Sequence, residues 1–327
     1  MKVTVLGAGS WGTALAILLA RNGHDVVLYG RNHEDVEIMH RIRENLHYLP
    51  AFAIPSNVLV TEDAAKGEGS DCWVIAVPSG AVRHVLSAVT DKNAVILVAA
   101  KGLEIGSAKT LHDVCKEVLP EATVGVLSGP NLAIEIVRGV PTAAVVAFEN
   151  QDSAEMVRSI FMCHSFRIYL SQDVVGIELA GALKNVLAIA AGMSDGLGFG
   201  DNTKGALLAR GLHEMTCLGL ALGARVETFM GIAGVGDLFA TAASTLSRNY
   251  RVGKAVGEGM KLREAIESIG QVAEGVPTSE SAVVLTRRHN IQAPIFEAID
   301  NVVRERLKPM EGVARLMERM PKSEGFF

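Results

Sequence analysis

One stretch near the N-terminus restricts the fold more than any other. Gly7-Ala8-Gly9-Ser10-Trp11-Gly12 directly follows the β-rich run Lys2–Leu6. Residues 10–22 then place Ala14, Leu15, Leu18 and Leu19 on one helical face, and Gly23 stops the helix. Between a strand and a helix, G-x-G-x-x-G has a physical meaning. Gly7 permits the tight turn, Gly9 lets the backbone approach a pyrophosphate, and Gly12 lets helix and strand pack closely. The helix start adds free N–H groups and positive dipole character. A glycine-rich turn that binds nothing is the plainer alternative; the flanking elements favour a dinucleotide.

The end of the second strand, Asp25–Tyr29, bears on which dinucleotide. Sites selective for NAD often place Asp or Glu here to hold the ribose hydroxyls. This chain has Tyr29-Gly30-Arg31-Asn32-His33, with no carboxylate before Glu34. Arg31 offers a fork for a 2′-phosphate. NADP use, or dual use of NADP and NAD, is therefore the favoured expectation. A solvated Arg31, or one stacked on adenine, is the alternative.

Further strand candidates lie at 57–60, 72–76, 94–98, 123–127, 142–146 and 166–169. Their apolar runs are continuous, as expected for strands covered on both faces. Alternation of strands and helices predicts an α/β fold with a Rossmann-type, doubly wound, mainly parallel sheet. From Asp173 onward the patterns are helical. The expected organisation is a dinucleotide-binding domain over 1–172 and an all-α substrate or catalytic domain over 173–327. Of 33 glycines, 16 lie between Gly176 and Gly259. Close helix packing, backbone lining a ligand, or short helices with glycine stops would each account for them.

Charge excludes one class of partner. Residues 1–172 carry 14 Lys and Arg against 18 Asp and Glu, and the remainder carries 17 against 18. Neither part is basic, so no broad nucleic-acid surface is expected. The four cysteines are scattered without a C-x-x-C pair, so neither a disulfide framework nor a metal site is expected. No apolar run approaches the roughly 18 residues of a membrane span, and no signal peptide is visible. A cytoplasmic protein is the resulting expectation, and the glycine-rich helices are compatible with a homodimer.

Chemistry is expected at the carboxyl ends of the strands. Residues 76–79, Ala99-Ala100-Lys101-Gly102 and Ser128-Gly129-Pro130-Asn131 occupy such places. In the second half, residues 181–192 form a small, apolar helical run whose one charge is Lys184. An unpaired buried ammonium is costly, so Lys184 should face a cavity or an anion. Desolvation and a second cation would make it a usable acid or base, with neighbouring Asn185 to orient it. Snorkelling out along the helix is the bland reading. Asp237 lies among glycines and apolar residues, and Ser247-Arg248-Asn249 opens a helix that suits a phosphate. Ser247 is equally an ordinary N-cap.

Taken in order along the chain, residues 7–14, 100–103, 128–142, 181–201, 231–237, 247–249 and 272–275 resemble the bacterial-type NAD(P)-dependent glycerol-3-phosphate dehydrogenases. The resemblance implies interconversion of dihydroxyacetone phosphate and sn-glycerol 3-phosphate by hydride transfer, supplying glycerophospholipid synthesis. It implies Lys184 as the catalytic acid or base. It implies substrate contacts from Lys101, Gly129, Asn131, Lys184, Asp237, Ser247, Arg248 and Asn249. Cofactor contacts are implied for Gly7, Gly9, Ser10, Trp11, Gly12, Arg31, His33, Lys101, Ala133, Arg248, Val272 and Glu274. Three positions depart from the common pattern: Asn131 stands where Ser or Thr is usual, Tyr250 where Arg is frequent, and Ala100 where Thr is common. Two other readings of the residues stay open, a related dehydrogenase of β-hydroxyacids and a non-catalytic dinucleotide sensor.

Overall fold

The computed structural model describes residues 1–320. The chain divides into two compact units: Met1–Lys101 with Thr110–Val174, and Gly102–Lys109 with the chain from Val175 onward. A single cut after Gln172 does not anticipate the eight residues that leave the first part of the sequence to join the second unit.

The first unit carries the strands β1 Lys2–Leu6, β2 Asp25–Tyr29, β3 Glu44–Asn45, β4 Leu49–Ala53, β5 Val58–Thr61, β6 Cys72–Ile75, β7 Val95–Val98, β8 Thr123–Ser128, β9 Thr142–Phe148 and β10 Phe166–Ser171. Eight of them form one sheet in the order β10-β9-β8-β7-β6-β1-β2-β5. Every neighbouring pair is parallel except β8 with β9. Helices α1 Ser10–Arg21, α2 His33–Ile42, α3 Val82–Val85, α4 Leu111–Val118, α5 Ala133–Val137 and α6 Gln151–Phe161 complete the unit. The strand interiors are buried because Val, Ile and Leu fill both faces, as in Val3, Val5, Val74 and Leu97. Asn32, Thr110 and Asn150 start α2, α4 and α6 by accepting a backbone N–H three residues on.

The reading of the strands from their β-rich apolar runs agrees with this sheet to within one or two residues. It misses the β3–β4 hairpin. At two residues β3 is too short to show a pattern, and the proline in β4 argues against reading its apolar run as a strand. The hairpin nevertheless has a firm seat: buried Leu49 packs with Ala14, Ile17 and Val137.

The second unit is helical: α7 Val174–Gly196, α8 Asp201–Ala221, α9 Val226–Met230, α10 Asp237–Ala243, α11 Arg248–Gly257, α12 Leu262–Ile269, α13 Gly275–Arg288, α14 Pro294–Val303 and α15 Pro309–Met317. Its core gathers Leu183, Leu187, Met215, Phe229 and Phe296, and also Leu103 and Ala108 from the early segment. Here α7 corrects one expectation. At 23 residues it is long and apolar enough to span a bilayer, and its apolar window is 94% buried inside the protein. That burial describes a central core helix, whose apolar character is explained by the helices around it.

The glycines of this unit have a clear use. A Cβ on Gly192 would lie 2.0 Å from the Tyr250 carbonyl oxygen, and one on Gly253 would lie 2.0 Å from that of Ile189. Gly196 and Gly257 face Lys254 and Met193 in the same way. Helices α7 and α11 thus cross backbone against backbone, and the glycines are spent within the unit. Close packing is the reading that accounts for these four.

Candidate functional site

The first part of the site is the turn between β1 and α1. Gly7 has φ +120°, a conformation that side chains other than glycine rarely adopt, and a Cβ there would lie 2.7 Å from the Ala76 carbonyl oxygen. A Cβ on Gly12 would lie 1.8 Å from the Gly7 oxygen, so strand and helix meet only because residue 12 has none. Around Gly9 the opposite holds: no described heavy atom lies within 4 Å of its missing Cβ. Gly9 is the N-cap of α1, and among the described residues no side chain caps it. Ser10 and Trp11 form the first helical positions, and the Trp11 indole donates to the Ala99 carbonyl at 2.9 Å. Open space beside an uncapped helix start fits a dinucleotide's pyrophosphate.

At the end of β2, Arg31 is exposed. Two residues on, His33 opens α2, and its Nδ1 pairs with the Glu62 carboxylate at 3.0 Å. That hydrogen bond and charge raise the His33 pKa above its ordinary value. Glu62 follows β5, which the sheet order places beside β2.

Two further strand ends of this unit meet each other. Lys101, past β7, donates to the Gly129 carbonyl at 2.7 Å. Gly129 has φ +140° and links β8 to Asn131. Both polar atoms of the Asn131 carboxamide are buried without a hydrogen-bond partner among the described residues. Ala133 is the first residue of α5.

In the helical unit, Lys184 is 5% exposed and does not snorkel. Its Nζ donates to Asp237 Oδ1 at 2.9 Å and to Thr241 Oγ1 at 2.5 Å, while Thr241 also donates to Asp237 at 3.2 Å. The charge closest to the ammonium in this network is thus the Asp237 carboxylate. Asn185 does not orient Lys184 in this network. Its Oδ1 accepts from Asn249 Nδ2 at 2.9 Å, and Asn249 Oδ1 accepts from the Gly275 N–H at 2.9 Å. Thr241 escaped the sequence reading. Its signal was its place four residues after Asp237, which shares a helix face with it.

Chain geometry explains these positions. Asp237 begins α10 directly after a π-helical turn, Ile232–Gly236, whose wider coil needs Gly234: a Cβ there would meet the Phe229 carbonyl oxygen at 2.1 Å. Ser247 is the N-cap of α11, its Oγ accepting from the Tyr250 N–H at 3.2 Å. Arg248 is the first residue of α11. Burial pushes its pKa down, and the Glu274 charge opposes that shift. Glu274 is the N-cap residue of α13, and Val272 is 45% exposed. Tyr250 donates its hydroxyl to Asp195 at 2.6 Å, and Lys204 pairs with the same carboxylate at 2.7 Å.

A parallel sheet with a strand–glycine–helix phosphate loop, joined to a helical unit holding a buried Lys–Asp pair, describes a dinucleotide-dependent oxidoreductase. Comparison with known proteins makes the class specific. The model of the NAD-dependent glycerol-3-phosphate dehydrogenase N-terminus matches residues 2–154, and that of the C-terminus matches residues 173–314. A glycerol-3-phosphate dehydrogenase [NAD(P)+] of Thermoanaerobacter sp. (strain X514) is 48% identical, covering 99% of both chains. One from Desulfitobacterium hafniense (strain Y51) is 44% identical over 99% of this chain and 93% of its own. The crystal structure of glycerol-3-phosphate dehydrogenase from Coxiella burnetii superposes with a TM-score of 0.94 at 37% identity, covering 97% of this chain and 99% of the other. The chain belongs to the NAD-dependent glycerol-3-phosphate dehydrogenase family.

Proposed function

We propose that the protein reduces dihydroxyacetone phosphate to sn-glycerol 3-phosphate with NADH or NADPH, and catalyses the reverse reaction. The family carries the activity, and the buried Lys184–Asp237–Thr241 cluster carries the chemistry.

When bound, the dinucleotide supplies or takes up the hydride. Gly7, Gly9, Ser10, Trp11 and Gly12 are the residues that would hold its pyrophosphate, with Arg31 and His33 toward the adenine ribose. Lys101, Ala133, Arg248, Val272 and Glu274 complete the proposed cofactor set. Lys184 serves as the acid: its ammonium gives a proton to the substrate oxygen that gains charge as the carbonyl is reduced. Asp237 and Thr241 hold that ammonium in one place, which reduces the entropy lost on reaching the reactive geometry. Arg248 offers a planar fork to the substrate phosphate, and the first N–H groups of α11 add to it. Ser247 spends a lone pair on its cap and keeps its hydroxyl hydrogen for donation. Asn249, fixed at both ends of its carboxamide, keeps the start of α11 against α7 and α13. Lys101, Gly129 and Asn131 form the substrate contacts of the sheet unit.

Oxidation of NADH and of NADPH with dihydroxyacetone phosphate tests the reading directly. Lys184→Ala is expected to lower kcat by about 10²–10⁴-fold while dinucleotide affinity is retained. Near-normal turnover in that variant would overturn the role given to Lys184. Turnover with β-keto acids, but not with the triose phosphate, would overturn the substrate.

A further inference from the structure

The β3–β4 hairpin brings one residue to the glycine loop that neither its type nor its spacing announces. Asn45 is 1% exposed. Its Nδ2 donates to the Ala8 carbonyl at 3.0 Å and to Thr13 Oγ1 at 2.8 Å, and its Oδ1 accepts the Tyr48 N–H at 3.0 Å. All three contacts need a carboxamide: two donor hydrogens on one side, an acceptor on the other.

Ala8 lies between Gly7 and Gly9, and its peptide bond to Gly9 is planar and trans. In such a unit the carbonyl and the following N–H point in opposite directions. Drawing the Ala8 oxygen toward Asn45 therefore turns the Gly9 N–H away from the hairpin. Without that hold the peptide can turn about ψ of Ala8 and φ of Gly9, and a glycine at that second hinge resists rotation least. We propose that Asn45 is a positioning residue for cofactor binding: it fixes the Ala8–Gly9 peptide so that the Gly9 N–H is presented to the dinucleotide's pyrophosphate. The inference rests on the cofactor assignment above. The hairpin, an interruption between α2 and β5, thereby acquires a purpose. Leu49 anchors it on α1, and Asn45 reaches from it to the loop.

Calorimetric titration with NAD+ and with ADP-ribose, which retains the pyrophosphate, tests the proposal without any turnover. Asn45→Ala is expected to weaken both ligands about tenfold, the scale of one well-placed hydrogen bond. Asn45→Asp should weaken them further, since a carboxylate turns an acceptor and a negative charge toward the Ala8 oxygen. Thr13→Val removes the other acceptor of the same carboxamide and should leave affinity within about twofold. Equal losses in Asn45→Ala and Thr13→Val would mean a packing role only and overturn the proposal, as would unchanged binding in both Asn45 variants. A wild-type chain that binds no dinucleotide would overturn the cofactor assignment itself, and this inference with it. Should the Asn45 variants not fold, 15N-glycine labelling of the wild type decides: the Gly9 amide must become protected from hydrogen exchange on NAD+ addition. A Gly9 amide indifferent to NAD+ overturns the proposal.

Discussion

Removing the Asp237 charge would leave the Lys184 ammonium without the carboxylate 2.9 Å away, and both side chains are buried. Breaking a buried pair by one partner typically costs roughly 3–5 kcal/mol, far more than an exposed pair is worth. Asp237→Asn should therefore lower the denaturation midpoint visibly. The double variant Lys184→Met/Asp237→Leu should recover most of that stability and have no turnover, which separates the cluster's structural part from its chemical one. Asn131 predicts the reverse. Its carboxamide spends no hydrogen bond within the described residues, so Asn131→Ala should leave the melting temperature nearly unchanged and raise KM for the triose phosphate. At this scale the sequence was informative where a residue contradicted its surroundings. A lysine in an apolar helix and a carboxylate among glycines are both conspicuous. Thr241, Asn185 and Asn45 are ordinary polar residues in ordinary places, and each meets a partner 32 or more residues away along the chain: Lys184, Asn249 and Thr13.

Among the elements, α8 and α14 are joined by a carboxylate. Glu214 accepts the Ile295 N–H at 3.0 Å and the Phe296 N–H at 3.2 Å at the start of α14. Burial pushes its pKa up to about 7, against those two donors and the charges of Arg210 and Arg319, which pull it down. The fold thus favours the protonated acid. This contribution is fully present below the ordinary value of 4.5 and is lost as pH rises through about 7. By linkage the loss is on the order of 3 kcal/mol. Glu214→Gln, neutral throughout, should be the more stable chain at pH 8, and its advantage should shrink between pH 8 and pH 5 in urea denaturation. A gap that stays constant over that range would refute the assignment. The crossing of α7 and α11 is less forgiving. Gly253→Ala places a methyl 2.0 Å from a carbonyl oxygen of the facing helix, and backbone cannot move aside as a side chain can. That variant should give little folded protein. Strands and helices were legible because apolar runs and glycine stops are local signals. The crossing was not, since sixteen glycines in a helical stretch look alike until their neighbours are known.

On the scale of the whole molecule, the family models leave residues 155–172 unmatched. Yet that stretch contains most of α6 and all of β10, the edge of the main sheet beside β9. The reading of the organisation from sequence rested on one change of pattern at Asp173, and a single change cannot reveal a chain that crosses between units three times. Leu103 makes the crossing measurable. It is fully buried in the core of the helical unit, so Leu103→Ala should cost that unit roughly 2–5 kcal/mol. Both tryptophans, Trp11 and Trp73, lie in the sheet unit. Far-UV circular dichroism should therefore report the earlier loss of helix in this variant, with tryptophan fluorescence lagging behind it.

The same eight residues set a schedule for synthesis. Leu103 and Ala108 leave the ribosome long before any other buried residue of their core, the first of which is Leu179. At about 5–20 residues per second the wait lasts seconds, and it lengthens until Phe296 and Leu307 emerge. During that interval a partly made chain holds a sheet unit that is free to fold around a loop whose apolar side chains have nowhere to go. Chain order and assembly order disagree at this one place, and binders of exposed apolar segments would find it there.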